Sequence, residues 1–292
     1  MKAYNPKQWF KILFFIRKGD TLVRVLPFVL LIGAYSLAVS YVELNILKLN
    51  ENSWVNHIPT TLSLLGFVLS LLLVFRTNTA YDRWWEGRKL WGALVNNSRN
   101  LAIKIGTMIA DSDDDNRLFF KETIPLYAFA LKEYLQSEAT RMSLDDLDHP
   151  ELESIDMQKH VPNQIAMLMM GKIQELYANK QISGDQLIIL NGELSSFTDI
   201  CGACERIKNT PIPFSYSSFI KKFILIYVVV LPMGFAIDMG YFVALVVAFV
   251  FYVLASLELI AEEIEDPFGK DPNDLPMEKI AINIKKHVGE LL

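Results

Sequence analysis

Four stretches without a single charged residue constrain this chain more than any other feature. They cover residues 25–42, 58–75, 223–237 and 239–257. As helices that rise about 1.5 Å per residue, they would reach roughly 22–29 Å, close to the thickness of a bilayer's hydrocarbon core, about 30 Å. One such stretch could be a buried core helix of a soluble protein. Four of them in two pairs, in a chain that is 52% hydrophobic, indicate a helical membrane protein.

The placement of basic residues predicts how the chain crosses the membrane. Six lysines and arginines precede the first stretch, and further basic residues follow the second and precede the third, whereas the segment 43–57 carries only Lys48. Basic residues concentrate on the cytoplasmic side of membrane proteins. We therefore expect a multi-pass protein of the cell inner (plasma) membrane, with both termini and residues 76–222 in the cytoplasm.

This orientation divides the chain into five segments. They are an N-terminal cytosolic segment (1–24), a first transmembrane pair (25–75), a cytosolic helical domain (76–222), a second transmembrane hairpin (223–257) and a cytosolic C-terminal segment (258–292). Gly234, Asp238 and Gly240 are expected to supply the turn of the hairpin.

The cytosolic domain is predicted to be all-α. Apolar residues recur at helical spacing over 83–108, 119–136, 162–178 and 186–207, with a polar, irregular stretch at 141–160. Pro162 suits the start of the third helix, and Ser183 or Asp185 could cap the fourth. No alternating pattern typical of strands appears.

Several function classes are disfavoured by what the sequence lacks. The four apolar stretches contain no ionisable residue, which argues against a proton relay or a coupled transporter. No cluster of His, Cys, Ser or carboxylate residues stands at a catalytic spacing, so no catalytic residue and no enzyme is predicted. A membrane-embedded enzyme and a non-conducting scaffold remain as remote alternatives. The net charge of −5 is mild, and no nucleic-acid partner is expected.

The second apolar stretch contains a stripe of large side chains. Phe67, Leu71 and Phe75 stand at i, i+4 and i+8 and so lie on one helix face. The stripe could face lipid or a packing partner. It could also gate a pore by dewetting, and such a pore would need copies of this helix around a symmetry axis.

Three motifs resemble those of the bestrophin family, in its bacterial branch. They are FRTNTAYDRWWEGR (75–88), CGACERIKNTPIPF (201–214) and EEIEDPFG (262–269) followed by NDLP (273–276). The resemblance implies a homopentameric ion channel in membrane lipid, which passes small inorganic ions passively through one axial pore. It also places a hydrophobic neck on Phe67, Leu71 and Phe75. The second transmembrane pair shows no comparable pore-lining pattern.

The resemblance further implies a cytosolic aperture near Asp185, although Ile182 or Leu187 could take that place. The family usually has small aliphatic side chains there, and a ring of aspartates would attract cations and repel anions. Asp185 therefore favours a channel for small monovalent cations. A channel of the same fold that is selective for chloride or other anions, to which the family points, is the alternative.

The resemblance also implies one candidate ligand, calcium. Animal members hold it at positions that match Ala3, Glu263, Asp266, Asp271 and Asp274, and this chain has oxygen-bearing side chains at the last four. Lys270 and Pro272 interrupt the acidic run, and bacterial members are held not to need calcium. We therefore expect no cofactor.

The pair Cys201 and Cys204 forms a C-x-x-C motif inside a predicted helix. Redox motifs of this kind usually join a strand to a helix, and zinc would need two more ligands. The four histidines (His57, His149, His160 and His287) are scattered along the chain. We expect packing thiols, with no metal site.

Overall fold

The computed structural model describes residues 21–49, 53–136, 155–156 and 158–292, and over these residues it is helical, with no strand. The long helices are α1 (Thr21–Tyr41), α2 (Ile58–Met108), α3 (Asp114–Gln136), α4 (Val161–Ala178), α5 (Gly184–Asn209), α6 (Phe214–Met239), α7 (Val243–Glu265) and α8 (Met277–Gly289). A π-helical turn (Val42–Ile46) extends α1, and 3₁₀ turns precede α2 (Trp54–His57) and α7 (Gly240–Phe242). The all-α prediction is confirmed for this part of the chain.

Within the described part of the chain, three helical stretches are long and apolar enough to cross a membrane. They are Thr21–Ile46, Ile58–Met108 and Phe214–Glu265. The third stretch comprises α6 and α7, which meet at Gly240. Gly240 has a positive φ of 59°, a conformation that glycine adopts without strain. The sequence thus placed the break between these helices correctly at Gly240. Gly234 and Asp238, however, lie within α6 and not in the turn.

The chain divides into two compact units. The first, called here the apolar unit, contains α1, α2 as far as Asp82, and residues Ile212–Glu265 with α6 and α7. The second, called here the helical block, contains Arg83–Pro211 and Asp266–Leu292. The predicted domain boundaries at 75/76, 222/223 and 257/258 all fall inside helices, so the point at which a membrane surface would cut them stays a prediction.

Leucine, isoleucine and valine side chains from four helices form the core of the apolar unit. It consists of Ile32, Leu62, Leu69, Leu73, Ile220, Ile224, Val228, Leu231, Ala236, Val243 and Val247. Gly66 lets α2 approach α6 closely, because a Cβ atom there would lie 2.7 Å from the hydroxyl oxygen of Tyr227. Gly234 likewise admits Ile58 and Pro59, whose nearest atoms would lie 3.1 and 3.2 Å from an added Cβ. These glycines explain how the apolar parts of α2 and α6 pack tightly together.

The helical block has its own aromatic and aliphatic core. Phe119 and Phe120 pack edge to face, and Tyr127 packs against Phe197 in the same manner. α4 begins just before Pro162, as predicted. Ser183 caps α5 in a capping box with Gln186, so Ser183 and not Asp185 is the residue that caps this helix.

Helix α2 is longer than the sequence indicated. Its 51 residues span roughly 75 Å at 1.5 Å per residue, and no break separates the apolar stretch from the segment that begins at Arg83. The predicted helix over 83–108 is therefore the second half of one continuous helix. Because the helix is continuous, the side chains that follow Phe75 keep a fixed angular relation to Phe67, Leu71 and Phe75.

Candidate functional site

The stripe on α2 lies on a surface that the chain itself leaves uncovered. Phe67, Leu71 and Phe75 are 63%, 43% and 62% exposed. Leu69 and Leu73, each two positions from Leu71, are buried in the core of the apolar unit. Two positions on a helix are about 160° apart, so the stripe points away from the core of its own unit. A surface of this kind faces lipid, another subunit or a pore.

The residue after the stripe begins a buried ionic cluster. Arg76 is only 1% exposed, and its Nη2 lies 2.7 Å from Oε2 of Glu265. Its Nε lies 3.6 Å from Oε1 of a second carboxylate, that of the buried Glu258. Oε1 of Glu265 also accepts a hydrogen bond of 2.7 Å from the backbone N–H of Ile212. Arg76 thus links the C-terminal end of the apolar part of α2 to the C-terminal end of α7.

A second apolar stripe with the same spacing lies on α7. Leu245, Phe249 and Val253 stand at i, i+4 and i+8 and are all exposed. The spacing of the α2 stripe therefore also occurs on α7, and the expectation that only the first transmembrane pair lines a pore stays a prediction. Exposure and spacing alone do not distinguish a pore-lining helix from a lipid-facing one, because both need large apolar side chains.

The predicted aperture residue lies at the start of α5. Asp185 is in the first turn of this helix and is exposed, so its side chain is not part of the packed core. Ile182, one of the alternatives, is buried in the helical block, and Leu187 is partly buried against it. Ile188 is 70% exposed and lies three positions after Asp185, on the same helix face. Ile188 is therefore a further exposed candidate at this end of α5, and its spacing from Asp185 is visible in the sequence.

The candidate calcium positions do not all belong to the same unit of the structure. Ala3 lies outside the described residues. Glu263 accepts a hydrogen bond of 2.6 Å from Arg24 within the apolar unit. Asp266, Asp271 and Asp274 belong to the loop before α8 in the helical block. Among the described residues, these carboxylates form no cluster of three ligand atoms within 4.8 Å of one another.

Asp274 is the most unusual carboxylate of this loop. It is 2% exposed, and its Oδ2 accepts a hydrogen bond from the backbone N–H of Asp271, while its buried Oδ1 accepts none. A Cβ on Gly269 would lie 2.7 Å from Oδ2 of Asp274 and 3.7 Å from Oδ2 of Asp266, so both carboxylates converge on that glycine. Burial raises the pKa of Asp274 to about 6, and the nearby charges of Asp271 and Asp266 add to the effect.

The two cysteines are buried and unpaired in the core of the helical block. Burial, with the charge of Glu205, raises the pKa of the Cys201 thiol to about 12. Burial also raises the pKa of Cys204 well above its ordinary value. A redox-active cysteine needs an accessible thiolate, and both environments favour the neutral thiol. The structure thus gives the C-x-x-C motif none of the features of a redox site.

Comparison with known proteins places this arrangement in a family. The sequence matches the Bacterial/Fungal Bestrophin protein family over residues 1–290. The chain therefore belongs to the bacterial and fungal bestrophins, as its motifs indicated. One relative, named voltage-dependent anion channel-forming protein alr2987, comes from Nostoc sp. and is 34% identical over 98% of this chain and 92% of its own. Another, the voltage-dependent anion channel-forming protein YneE of Escherichia coli K12, is 30% identical over 94% of this chain and 89% of its own.

Solved structures of bacterial bestrophins share the fold. A bestrophin homolog from Klebsiella pneumoniae, determined by Zn-SAD phasing, superimposes with a TM-score of 0.78 at 26% identity. The match covers 90% of this chain and 96% of that one. A mutant of a Klebsiella pneumoniae homolog gives a TM-score of 0.80 at 25% identity and covers 92% and 98% of the two chains.

Proposed function

We propose that this chain forms an ion channel that passes small monovalent ions passively, with anions as the favoured species, and that it is not an enzyme. Two relatives that align along nearly their whole length are named as anion channel-forming proteins. The observation that carries the proposal is the uncovered stripe of Phe67, Leu71 and Phe75, which lies in an apolar segment long enough to cross a bilayer.

The proposed architecture has four membrane-crossing helices, α1, α2, α6 and α7, in each subunit of a homopentamer. α6 and α7 have 26 and 23 residues, and about 20 apolar residues suffice to span the hydrocarbon core. The break at Gly240 makes them a hairpin. Both termini and the helical block would then lie on the cytoplasmic side of the inner (plasma) membrane, where the basic residues are.

In this architecture the stripe forms the neck of the pore. Five copies of Phe67, Leu71 and Phe75 would stack as three apolar rings around the axis. No polar atom on these side chains can replace the water that an ion sheds, so a narrow neck would dewet and oppose conduction. The exposed stripe on α7 would then face lipid, where large apolar side chains are equally stable.

A cation-permeable channel is the second candidate, and Asp185 favours it. This carboxylate is exposed in the first turn of α5, where five copies could ring the cytosolic exit. Such a ring would concentrate cations and repel anions. Ile188, which is exposed on the same face, is instead an aliphatic side chain of the kind that the family usually places there.

The proposed partners are small inorganic ions, membrane lipid and four further copies of the chain, with no nucleic acid. No cofactor is proposed for ion conduction. If calcium binds at all, Asp266, Asp271 and Asp274 are the residues that would hold it, since Asp274 has a buried oxygen that accepts no hydrogen bond. The cation would supply positive charge to a loop that otherwise concentrates negative charge.

Reconstitution of the purified protein into liposomes tests this function. Vesicles loaded with potassium chloride and placed in a chloride-free buffer should lose chloride without any energy source when valinomycin lets potassium leave and balance the charge. Vesicles prepared without protein should retain it. A scaffold or an enzyme would produce no flux of chloride, sodium or potassium under any gradient, and that outcome would remove the channel proposal.

A further inference from the structure

Three side chains with metal-binding atoms meet in the helical block. They are His160, Cys201 and Glu205, and their ligand atoms all lie within 4.8 Å of one another. Cys201 and Glu205 are one helical turn apart on α5. His160 comes from the N-terminal cap of α4, more than forty positions earlier in the chain. No local sequence pattern predicts this cluster, because the three residues come together only when α4 packs on α5.

The three residues are held firmly in place. Nε2 of His160 lies 2.8 Å from Oε1 of Glu205, and its Nδ1 accepts a hydrogen bond of 3.2 Å from the backbone N–H of Asn163. The ring of Tyr134 packs on His160 with a centroid distance of 4.4 Å. Cys201 is buried in the core. The side chains of His160 and Glu205 are 26% and 29% exposed, so the cluster can be reached from solvent.

We propose that His160, Cys201 and Glu205 bind a divalent transition metal ion, with Zn²⁺ as the preferred species and water as the fourth ligand. Imidazole nitrogen, thiolate sulfur and carboxylate oxygen are the three donors that zinc takes in proteins. A thiolate and a carboxylate together balance the charge of Zn²⁺, so the complex is neutral. A neutral complex is far less costly to bury than an isolated ion.

Metal binding would change the protonation of the ligands in a defined way. Cys201 would lose its thiol proton, since only the thiolate binds zinc. In the metal-free arrangement Nδ1 of His160 accepts from Asn163, so the ring proton is on Nε2 and is donated to Glu205. The metal would take the lone pair of Nε2, which moves the ring proton to Nδ1. The cap hydrogen bond to Asn163 would then be lost, and binding is coupled to the first turn of α4.

A plain hydrogen-bond network is the alternative explanation of the cluster. His160 and Glu205 already pair with each other, and the ring of Tyr134 packs on His160. Such a network would join α3, α4 and α5 without any metal. It would not need a sulfur atom, however, and replacement of Cys201 would leave it intact. The two explanations therefore differ in what Cys201 does.

Cobalt binding tests the proposal on the intact protein. The full chain in detergent, with any affinity tag removed and after treatment with a chelator, is titrated with Co²⁺. The expected result is the visible absorption of tetrahedral Co²⁺ together with a thiolate-to-cobalt charge-transfer band, and one equivalent of Zn²⁺ per chain should remove both. Cys201→Ser should abolish the charge-transfer band, and Glu205→Gln should weaken binding at least tenfold.

Cys204→Ser is the matched control, because Cys204 is buried one turn later on α5 and lies outside the cluster. It should keep the full cobalt spectrum. An X-ray absorption spectrum of the zinc-loaded wild-type protein tests the same claim without any substitution, so its result does not depend on whether a variant folds. It should show one sulfur at about 2.3 Å beside nitrogen or oxygen at about 2.0–2.2 Å. A zinc environment without sulfur, or an equal loss of the cobalt band in both cysteine variants, would overturn the proposal.

Discussion

The guanidinium of Arg76 lies 2.7 Å from the carboxylate of Glu265, in a place where Arg76 is almost inaccessible to solvent. Arg76 follows Phe75 directly on α2, and Glu265 is the last residue of α7. The pair therefore sets the rotation of α2 at the level where the apolar stripe ends. The carboxylate of Glu258, which is buried, lies 3.6 Å from the same arginine.

Replacing Arg76 with methionine should destabilise the protein strongly. The change keeps the length of the side chain but leaves the buried Glu258 and the partly buried Glu265 without their counter-charge. The removal of one partner of a buried ion pair costs about 3–5 kcal/mol. Unfolding in a single detergent, followed by circular dichroism, measures the loss.

The exposed pair of Lys221 and Glu262 is the control for that experiment. Its side chains are about half exposed, so Lys221→Met should cost no more than about 1 kcal/mol. Equal losses in the Arg76 and Lys221 variants would show that the buried cluster contributes nothing special to stability.

Asp274 should make stability depend on pH in the acid range. Its pKa is raised from 3.8 to about 6, so in that interval the folded protein holds a proton that the unfolded chain has released. Stability should therefore fall as the pH rises from about 4 to about 6 and then level off. Asp274→Asn, which cannot ionise, should flatten this part of a plot of melting temperature against pH.

Asp199→Asn provides the comparison, since Asp199 is an exposed carboxylate on α5 in the same unit. It should leave the slope as it is in the wild type. If Asp274→Asn preserves the slope, the buried Asp274 is not its source.

Added calcium should leave the melting temperature at neutral pH unchanged. The carboxylates near Asp274 form no compact cluster of three ligand atoms among the described residues, and a ligand stabilises a protein only if it binds the folded state. Magnesium serves as the control for ionic strength. A rise with calcium in the wild type that is absent in Asp274→Asn would instead assign a calcium site to this loop.

Neutralising Asp185 should move selectivity towards anions. If five copies ring the cytosolic exit, Asp185→Asn removes their repulsion of chloride, and the reversal potential in a salt gradient shifts towards the chloride equilibrium potential. Asp111→Asn alters a side chain that is 97% exposed in the loop before α3 and should have no effect. An unmoved potential in the Asp185 variant would exclude this residue from the selectivity of the pore.

Local features of the fold were predictable because they depend on neighbouring residues. The caps and breaks of the helices follow from the conformational preferences of glycine, proline and serine, as at Gly240, Pro162 and Ser183. The stripe on α2 was predictable for the same reason, since its spacing is a property of a single helix. Its uncovered position opposite Leu69 and Leu73 needed the packed structure.

Contacts between distant residues could not be predicted from a single sequence. The approach of Glu258 and Glu265 to Arg76 spans about 180 residues, and His160 reaches Cys201 only when α4 packs on α5. Spacing also misled in one respect. Apolar residues at i, i+4 and i+8 suit both lipid and a pore, so the stripe of Leu245, Phe249 and Val253 passed unnoticed.

Ion flux through variants of the two stripes tests the central claim most directly. Replacing Phe67, Leu71 and Phe75 together with alanine should widen and wet the neck and raise chloride flux in liposomes about tenfold or more, which corresponds to a barrier lower by about 1.4 kcal/mol. The matched triple alanine variant of Leu245, Phe249 and Val253 should conduct as the wild type does. Unchanged flux in the α2 variant, with increased flux in the α7 variant, would contradict the assignment of the pore to α2.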